Sequence, residues 1–240
     1  GELQQTKVYR SEALEVVFSA PEAVVPAETK ASLALTNVWV VQFDAAGSFV
    51  TAHKTPSLAV GTTLKPALRG GKSQRIYVVA AMNDATDFST ALAGKTLDDF
   101  RKLTATLGSA PAMAASTGIP LCSDEVTADI YSNGKFLSRT GITLKRIVAQ
   151  VLFTARLGTN STAAERYTIT SVRLVNKPKN LCFALPAAGT ATYPESVAAN
   201  FESLAAVTGT KVTDQQSWFL PDNVRGTITN SDPLKKVPAA

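Results

Sequence analysis

The sequence predicts a mainly β protein, an antiparallel β-sandwich with two short helices in crossovers between strands. Three observations predict this class. Apolar and polar residues alternate with a period of two in about seven segments, turn residues separate these segments, and only two segments have helical spacing. Strands and helices alternate too irregularly for a doubly wound parallel sheet.

The clearest strand is predicted in the run SLALTNVWVVQFD, residues 32–44. Its apolar face, interrupted at Asn37, is predicted to carry Leu33, Leu35, Trp39, Val41 and Phe43. The opposite face carries Thr36, Gln42 and Asp44. This alternation predicts a half-buried strand. The glycine-containing segment 45–48 predicts a hairpin turn into a second strand at residues 49–53.

Further strands are predicted at residues 12–19, 74–82, 126–131, 144–156 and 167–176. In the fourth of these, alternate positions share one face: Ile147, Ala149, Val151, Phe153 and Ala155. In the last, the apolar positions shift from Tyr167 and Ile169 to Val172 and Leu174. This shift predicts a bulge near Ser171.

Two segments have helical spacing. In residues 96–108, Thr96 is the predicted N-cap, Asp99 forms a weaker capping box and Gly108 ends the helix. Its predicted apolar face carries Leu97, Phe100, Leu103 and Leu107. Residues 194–206 begin with Pro194, which is tolerated in a first turn, and repeat Val197, Phe201, Leu204 and Ala205.

The composition excludes several kinds of function. The chain has 24 Lys and Arg against 19 Asp and Glu, a net charge of +5, and is 45% hydrophobic, which is typical of a globular protein. The positive charge is scattered, so no nucleic-acid partner is predicted. Lys177 and Lys179, which flank Pro178, are predicted to lie in a solvated loop.

Histidine and cysteine are too scarce for common catalytic or metal sites. His53, Cys122 and Cys182 cannot supply the ligands of a usual zinc site, and His53 is predicted to be a surface imidazole at a strand end. The RGGKS segment at residues 69–73 lacks the first glycine and the helix of a phosphate-binding loop, so it predicts a Gly-Gly turn between strands. We therefore predict neither an enzyme nor a bound metal or cofactor.

The two cysteines leave two alternatives open. A disulfide would close a loop of about 60 residues and restrict the unfolded chain by roughly 4 kcal/mol. Both cysteines also lie in apolar settings, IPLCSD and NLCFAL, which suit buried free thiols.

Six segments in sequence order resemble the fimbrillin family, the type V pilins and related surface lipoproteins of Bacteroidales. They are LTNVWVVQFDAAGSFV (35–50), YVVAAMND (77–84), TLDDFRKL (96–103), GIPLCSDEV (118–126), LKRIVAQV (144–151) and WFLPDNVRG (218–226). The motif residues are interpreted as structural: Trp39, Phe43, Asp44, Gly47, Arg146, Pro221, Asn223, Arg225 and Gly226. Trp39 and Phe43 suit a core face, and Asp44 and Gly47 suit a turn.

The resemblance implies a transthyretin-like β-sandwich and a role as a structural or adhesive subunit of a cell-surface fimbria. It implies a lipoprotein precursor at the outer membrane, other fimbrial subunits as partners, and a host or bacterial surface protein or glycan as adhesive target. Residues 1–226 are assigned to an N-terminal domain and residues 227–240 to a linker toward an absent second domain. Family pilins lose their first strand to a trypsin-like protease, and the exposed groove accepts a donor strand from the next subunit.

Arg10 is the proposed processing site. It precedes alternating apolar residues that we assign to the first strand and its groove: Leu14, Val16 and Phe18. The alternative function is a glycan- or ligand-binding β-sandwich module of a surface lipoprotein. Trp218 and Tyr193 are the candidates for its aromatic platform, although both are also explained as packed residues near strand and helix ends.

Overall fold

A computed structural model describes residues 8–10, 34–59, 64, 66–80, 87–106, 120–131, 142–156, 167–175, 177–184 and 201–221. Contacts divide the chain into two compact units. Unit 1 comprises residues 1–105, 112–147 and 182–185, and unit 2 comprises residues 106–111, 148–181 and 186–240. The predicted division into 1–226 and 227–240 stays a prediction, since residues 222–240 lie outside the described ranges.

Strands predominate in both units. In chain order they are β1 (Val8–Arg10), β2 (Ala34–Phe43), β3 (Phe49–Ala59), β4 (Ala67–Arg69), β5 (Gly71–Ala80), β6 (Thr104–Thr106), β7 (Leu121–Ser123), β8 (Val126–Ile130), β9 (Leu144–Arg146), β10 (Val148–Phe153), β11 (Ser171–Val172), β12 (Lys177–Pro178), β13 (Asn180–Cys182), β14 (Phe201–Glu202), β15 (Val207–Thr208) and β16 (Gln216–Pro221). The helices are α1 (Phe88–Ala91), α2 (Leu97–Lys102) and a 3-10 helix at Gly209–Thr213. A mainly β protein with two short α-helices is therefore confirmed.

Unit 1 is built on a six-stranded antiparallel sheet in the order β3-β2-β5-β7-β9, and β8 also pairs with β5. The predicted hairpin of β2 and β3 is present, and β3 extends six residues beyond its predicted end at His53. The predicted strand at 74–82 is β5, which begins earlier, at Gly71. The predicted strand at 126–131 is β8.

The predicted face of β2 is wrong, because both faces of this strand are buried. Asn37 has a positive φ of 48°, which interrupts the alternation that a regular strand would keep. Leu35 consequently packs in the same cluster as Val38 and Val40. Gln42, predicted on an exposed face, is fully buried.

The two faces of the sheet differ in chemistry. One face carries an aliphatic cluster: Leu35, Val38, Val40, Leu58, Leu64, Leu68, Ile76, Val78, Ala80, Ile130, Ile142 and Leu144. The other face carries aromatic rings in mutual contact: Trp39, Phe43, Tyr77, Phe88, Phe100 and Phe183. The helices α1 and α2 each bury a phenylalanine, Phe88 and Phe100, in this aromatic face.

Helix α2 begins as predicted and ends early. The Thr96 side chain accepts from the backbone N–H of Asp99, and the Asp99 carboxylate accepts from the backbone N–H of Thr96, which completes a capping box. The predicted extension to Gly108 is wrong, since the helix ends at Lys102 and β6 begins at Thr104. The β-branched threonines of β6 favour extended backbone over helix. Helix α1, capped by Asp87, was not predicted; its four residues are too few to show a helical period.

Two other predicted strands are interrupted. The segment 144–156 forms β9 and β10, separated at Ile147, whose N–H donates to the carbonyl of Pro120 at 3.2 Å. The segment 167–176 forms only β11, and the described part of it has no extended ladder in which a bulge could occur. The alternating apolar pattern predicted both strands to be too long, because the pattern carries no information about where the paired strand ends.

The described residues of unit 2 form three antiparallel ladders, β10–β16, β11–β15 and β12–β14. The predicted helix at 194–206 is wrong over its described part, since Phe201–Glu202 is β14. Phe201 pairs with Pro178 and Glu202 with Lys177, so tertiary pairing overrides the helical spacing. No helix among the described residues is long and apolar enough to cross a membrane.

Candidate assembly surface

The N-terminal strand β1 covers one edge of β4. The two strands form an antiparallel ladder in which Val8 faces Arg69, Tyr9 faces Leu68 and Arg10 faces Ala67. The proposed processing residue Arg10 is therefore the last residue of β1. The proposed groove residues Leu14, Val16 and Phe18 lie outside the described residues.

The Gln42 side chain holds the other edge of β4. Its amide nitrogen donates to the carbonyl of Arg69 at 2.8 Å, and its amide oxygen accepts from the Arg69 N–H at 2.9 Å. The same nitrogen donates to Oε1 of Gln74 at 2.8 Å. Gln74 in turn donates to the carbonyl of Lys72 at 3.1 Å, so the network spans β2, β4 and the start of β5. A buried amide thus takes the place of a neighbouring strand.

These bonds fix which backbone groups of β4 face β1. Both backbone groups of Arg69 point to Gln42. Because the groups of successive strand residues point to opposite edges, the N–H and C=O of Leu68 face Tyr9 on β1. The Leu68 side chain itself is fully buried in the aliphatic cluster. The ladder between β1 and β4 therefore depends on the backbone of Leu68.

The motif residues Asp44 and Gly47 form the turn predicted between β2 and β3. The Asp44 carboxylate accepts from the Ser48 N–H at 2.8 Å, and the Gly47 N–H donates to the Asp44 carbonyl at 3.0 Å. Gly47 has a φ of +88°, a conformation that favours glycine. Its carbonyl accepts from the N–H of Leu97 at 2.7 Å, which joins the turn to the first residue of α2.

The motif residues Trp39 and Phe43 are buried and lie on the aromatic face. Trp39 meets Phe88 edge to face, with ring centroids 5.5 Å apart, and Lys54 lies 6.0 Å from the indole centroid. Phe43 contacts the rings of Tyr77 and Phe100 at 6.5 and 5.6 Å. The placement of both residues fits their interpretation as structural.

A half-buried ionic cluster beside this face joins α2 to the sheet. Glu125, between β7 and β8, accepts from Arg75 Nε at 2.6 Å, from the Tyr77 hydroxyl at 2.9 Å and from Arg101 at 3.1 Å. Burial of the phenol and the charge of Glu125 raise the pKa of Tyr77 to about 12. Partial burial opposes ionisation of Glu125, but hydrogen bonds from Arg75 and Tyr77 outweigh it and lower its pKa. Glu125 forms ion pairs with both Arg75 and Arg101, so the cluster has a structural role in holding α2 against the sheet.

The remaining motif residues lie near or beyond strand ends. The backbone of Arg146 pairs with Leu121 in the β7–β9 ladder. Pro221 is buried at the end of β16, opposite Val148. Asn223, Arg225 and Gly226 lie outside the described residues.

Of the two alternatives for the cysteines, the structure shows unpaired thiols rather than a disulfide. Cys122 is a free, buried thiol and so does not pair with Cys182, which is also buried. Burial, with a contribution from the charge of Asp124, raises the pKa of Cys122 to about 12. Such a thiol is a poor nucleophile.

The RGGKS segment and His53 both lie in or beside strands of unit 1. The RGGKS segment lies between two strands as predicted, but the predicted Gly-Gly turn is wrong, since Gly71 is the first residue of β5 and only Gly70 separates β5 from β4. His53 lies inside β3 rather than at its end, and it is half-buried. The described residues contain no group of three or more His, Cys, Asp or Glu side chains that could hold a metal ion.

The predicted solvated loop around Pro178 is wrong. Lys177 and Pro178 form β12, and the Lys177 side chain is only 2% exposed. Its ammonium lies 2.8 Å from Oε1 of Glu202 on the paired strand β14. A lysine in this position is buried because the partner strand supplies its counter-charge.

Unit 2 presents an exposed aromatic pair. Phe153 on β10 stacks on Trp218 on β16 with ring centroids 5.5 Å apart and an interplanar angle of 22°. Phe153 is 41% exposed and Trp218 is half-buried, so the pair is not enclosed in a core. Tyr193, the other candidate platform residue, lies outside the described residues.

Sequence reasoning missed Gln42 and Glu125. A glutamine inside the apolar run VWVVQF was a signal for a buried amide, because polar groups in such runs persist when they are hydrogen-bonded. Glu125 offers no local signal, since its partners Arg75, Tyr77 and Arg101 are 24 to 50 positions away.

No protein-family model matches the sequence, and no curated protein matches it. Solved structures do match. A candidate cell adhesion protein from Bacteroides eggerthii DSM 20697 is 13% identical, with a TM-score of 0.52 over 93% of this chain and 72% of that one. Another from Parabacteroides distasonis ATCC 8503 is 12% identical, with a TM-score of 0.53 over 80% and 69%.

A fimbrilin (fimA) from Porphyromonas gingivalis W83 is 12% identical, with a TM-score of 0.52 over 88% of this chain and 66% of that one. At these identities the likeness shows a shared fold. It confirms the predicted β-sandwich class and agrees, at the level of fold, with the resemblance to Bacteroidales fimbrillins. The chain spans about two thirds of the length of the fimbrilin.

Proposed function

We propose that the chain is a structural and adhesive subunit of a cell-surface fimbria, a pilin or an accessory subunit, which assembles by donor-strand addition. The observation that supports this proposal most directly is the ladder between β1 and β4. A three-residue strand covers one edge of β4, while Gln42 holds the opposite edge in place. A strand from a neighbouring subunit can replace β1 bond for bond without rearrangement of β4.

The short ladder suits removal of β1. A two-stranded ladder is marginally stable in water, so local opening exposes the chain around Arg10 to a protease. Cleavage after Arg10 releases all of β1, because Arg10 is its last residue. Leu14, Val16 and Phe18 then lie close to the new N-terminus, as the proposed first strand and groove of the mature subunit.

The proposal also includes the partners, the precursor and the role of the subunit. Its partners are other fimbrial subunits and an adhesive target, either a protein or a glycan of a host or bacterial surface. Its precursor is a lipoprotein of the outer membrane, and its role is non-catalytic. The shared fold with a fimbrilin and with candidate cell adhesion proteins supports this function.

The test treats the folded full chain with trypsin under limiting conditions. We expect mass spectrometry to show a new N-terminus at Ser11 and electron microscopy to show fibres, or subunits added at a fibre tip. Arg10→Gln blocks both results, whereas the control Arg173→Gln, at an exposed arginine of unit 2, blocks neither. An N-terminus that stays intact, or cleavage after Arg10 without multimers, contradicts the proposal.

The Phe153–Trp218 pair favours a second candidate function, carbohydrate binding. Partly exposed stacked rings offer an apolar platform beside solvent. A glycan array tests this function with the full chain, with Phe153→Ala, and with Tyr131→Ala as a control at an exposed ring of unit 1. Saturable binding that only Phe153→Ala weakens supports this platform, and absence of binding to every glycan counts against it.

A further inference from the structure

Unit 2 contains an open cleft of about 1010 Å³. Its described lining consists of Arg156, residues 167–170 and four residues of the 3-10 helix, Gly209, Thr210, Val212 and Thr213. The volume is at the upper end of the range of roughly 300–1000 Å³ that is typical of small-molecule sites. Gly209 adds no side chain to the lining, and a Cβ added there would meet no atom within 4 Å.

The lining combines three kinds of chemistry. Val212 is buried and Ile169 is half-buried, which gives the cleft apolar surface. Tyr167 presents a ring that is 64% exposed. Four threonines, which carry hydroxyl groups, also line the cleft: Thr168, Thr170, Thr210 and Thr213. A sugar ring has matching surfaces, an apolar face that packs on an aromatic ring and hydroxyls that exchange hydrogen bonds.

The charge of the cleft lining indicates what kind of sugar would bind. Arg156 is the charged residue among the described residues that line the cleft, and none of these described lining residues is a carboxylate. Arg156 makes no ion pair with any other residue that the structure describes. One guanidinium matches one carboxylate in a bidentate pair, whereas phospho-ligand sites typically use clusters of arginines.

We propose that this cleft binds an acidic saccharide, with Arg156 on the carboxylate and Tyr167 against the sugar ring. The proposal rests on the second candidate function, carbohydrate binding, and adds to it a ligand class and a site whose lining does not include the Phe153–Trp218 pair. It is independent of assembly, because Arg156 and Tyr167 lie in unit 2 and β1 and β4 lie in unit 1.

The experiment is calorimetric titration of the full chain with a tri-galacturonide and with the neutral galactotriose of the same linkage. We expect saturable binding of the acidic sugar and at least about tenfold weaker binding of the neutral one, as for loss of a charge-assisted pair. Arg156→Gln reduces the affinity for the acidic sugar to that for the neutral sugar. Tyr167→Ala weakens binding of both sugars.

Matched controls are Arg173→Gln and Tyr131→Ala, both at exposed residues outside the cleft, and neither changes binding. Circular dichroism checks that each variant is folded, and Arg156→Lys gives an intermediate affinity. Equal affinity for the two sugars, full binding by Arg156→Gln, or equally effective competition by inorganic phosphate overturns the proposal. Assembly after cleavage is unchanged in both cleft variants, so loss of sugar binding and loss of assembly are distinguishable.

Discussion

Substitution of Gln42 by leucine removes the amide that fixes β4 to the sheet. The side chain of Gln42 is fully buried and takes part in three hydrogen bonds, two with the backbone of Arg69 and one with Gln74. Each bond contributes about 1 kcal/mol, and a buried polar group left without a partner costs about 1–3 kcal/mol. Gln74 is buried and its Oε1 loses its Gln42 donor, whereas the bonds of Gln42 to the Arg69 backbone are only partly buried. We therefore expect Gln42→Leu to lower the free energy of unfolding by about 3 kcal/mol.

Urea denaturation measures this change, and a second substitution isolates its cause. Gln74→Leu removes the orphaned oxygen, so the double variant should cost about 1 kcal/mol less than the sum of the single variants. Gln215→Leu is the control, because Gln215 is exposed and outside the network, and its effect should stay within about 0.5 kcal/mol. A loss below about 0.5 kcal/mol for Gln42→Leu, or strict additivity with Gln74→Leu, would refute the reasoning.

Three further predictions concern buried groups. The pKa of Tyr77 is raised from 10.0 to about 12, so its contribution to stability is fully present below pH 10 and is lost between pH 10 and about 12. The melting temperature should therefore fall less steeply across this range in Tyr77→Phe than in the parent chain. Cys122 should resist a thiol reagent in the folded chain and react in denaturant, as followed by absorbance, because burial raises its pKa to about 12; rapid native labelling would contradict this. Glu202→Leu should lower the free energy of unfolding by about 3 kcal/mol because it leaves the buried Lys177 without its counter-charge. Lys177→Met should lower it by less than about 1 kcal/mol because Glu202 keeps contact with water. Equal effects of the two substitutions in urea denaturation would contradict this asymmetry.

The sequence was sufficient for the features that depend on neighbours along the chain. The turn at Asp44 and Gly47 and the cap at Thr96 use residues within four positions of each other, so their local chemistry determines them. The strands of the central sheet were found because their β-branched and aromatic residues suit a half-buried or buried strand whatever its partner.

The features that sequence reasoning missed depend on distant pairing. The burial of Lys177 requires the strand at Glu202, and the helical spacing of that segment concealed the strand. The face change in β2 arises from the backbone of Asn37, whose positive φ a period-two pattern does not register. The role of Gln42 requires β4, 27 positions away, to lie beside it.

Amide hydrogen exchange at Leu68 tests directly whether β1 covers an edge of β4 which later receives a donor strand. We expect the Leu68 amide to exchange more slowly in the intact chain than after cleavage at Arg10, and to become slow again in assembled subunits. The Arg69 amide, held by Gln42, should stay slow in all three states and serves as the internal reference. A Leu68 amide that stays protected after β1 is removed, or that exchanges fast in assembled fibres, would contradict the claim.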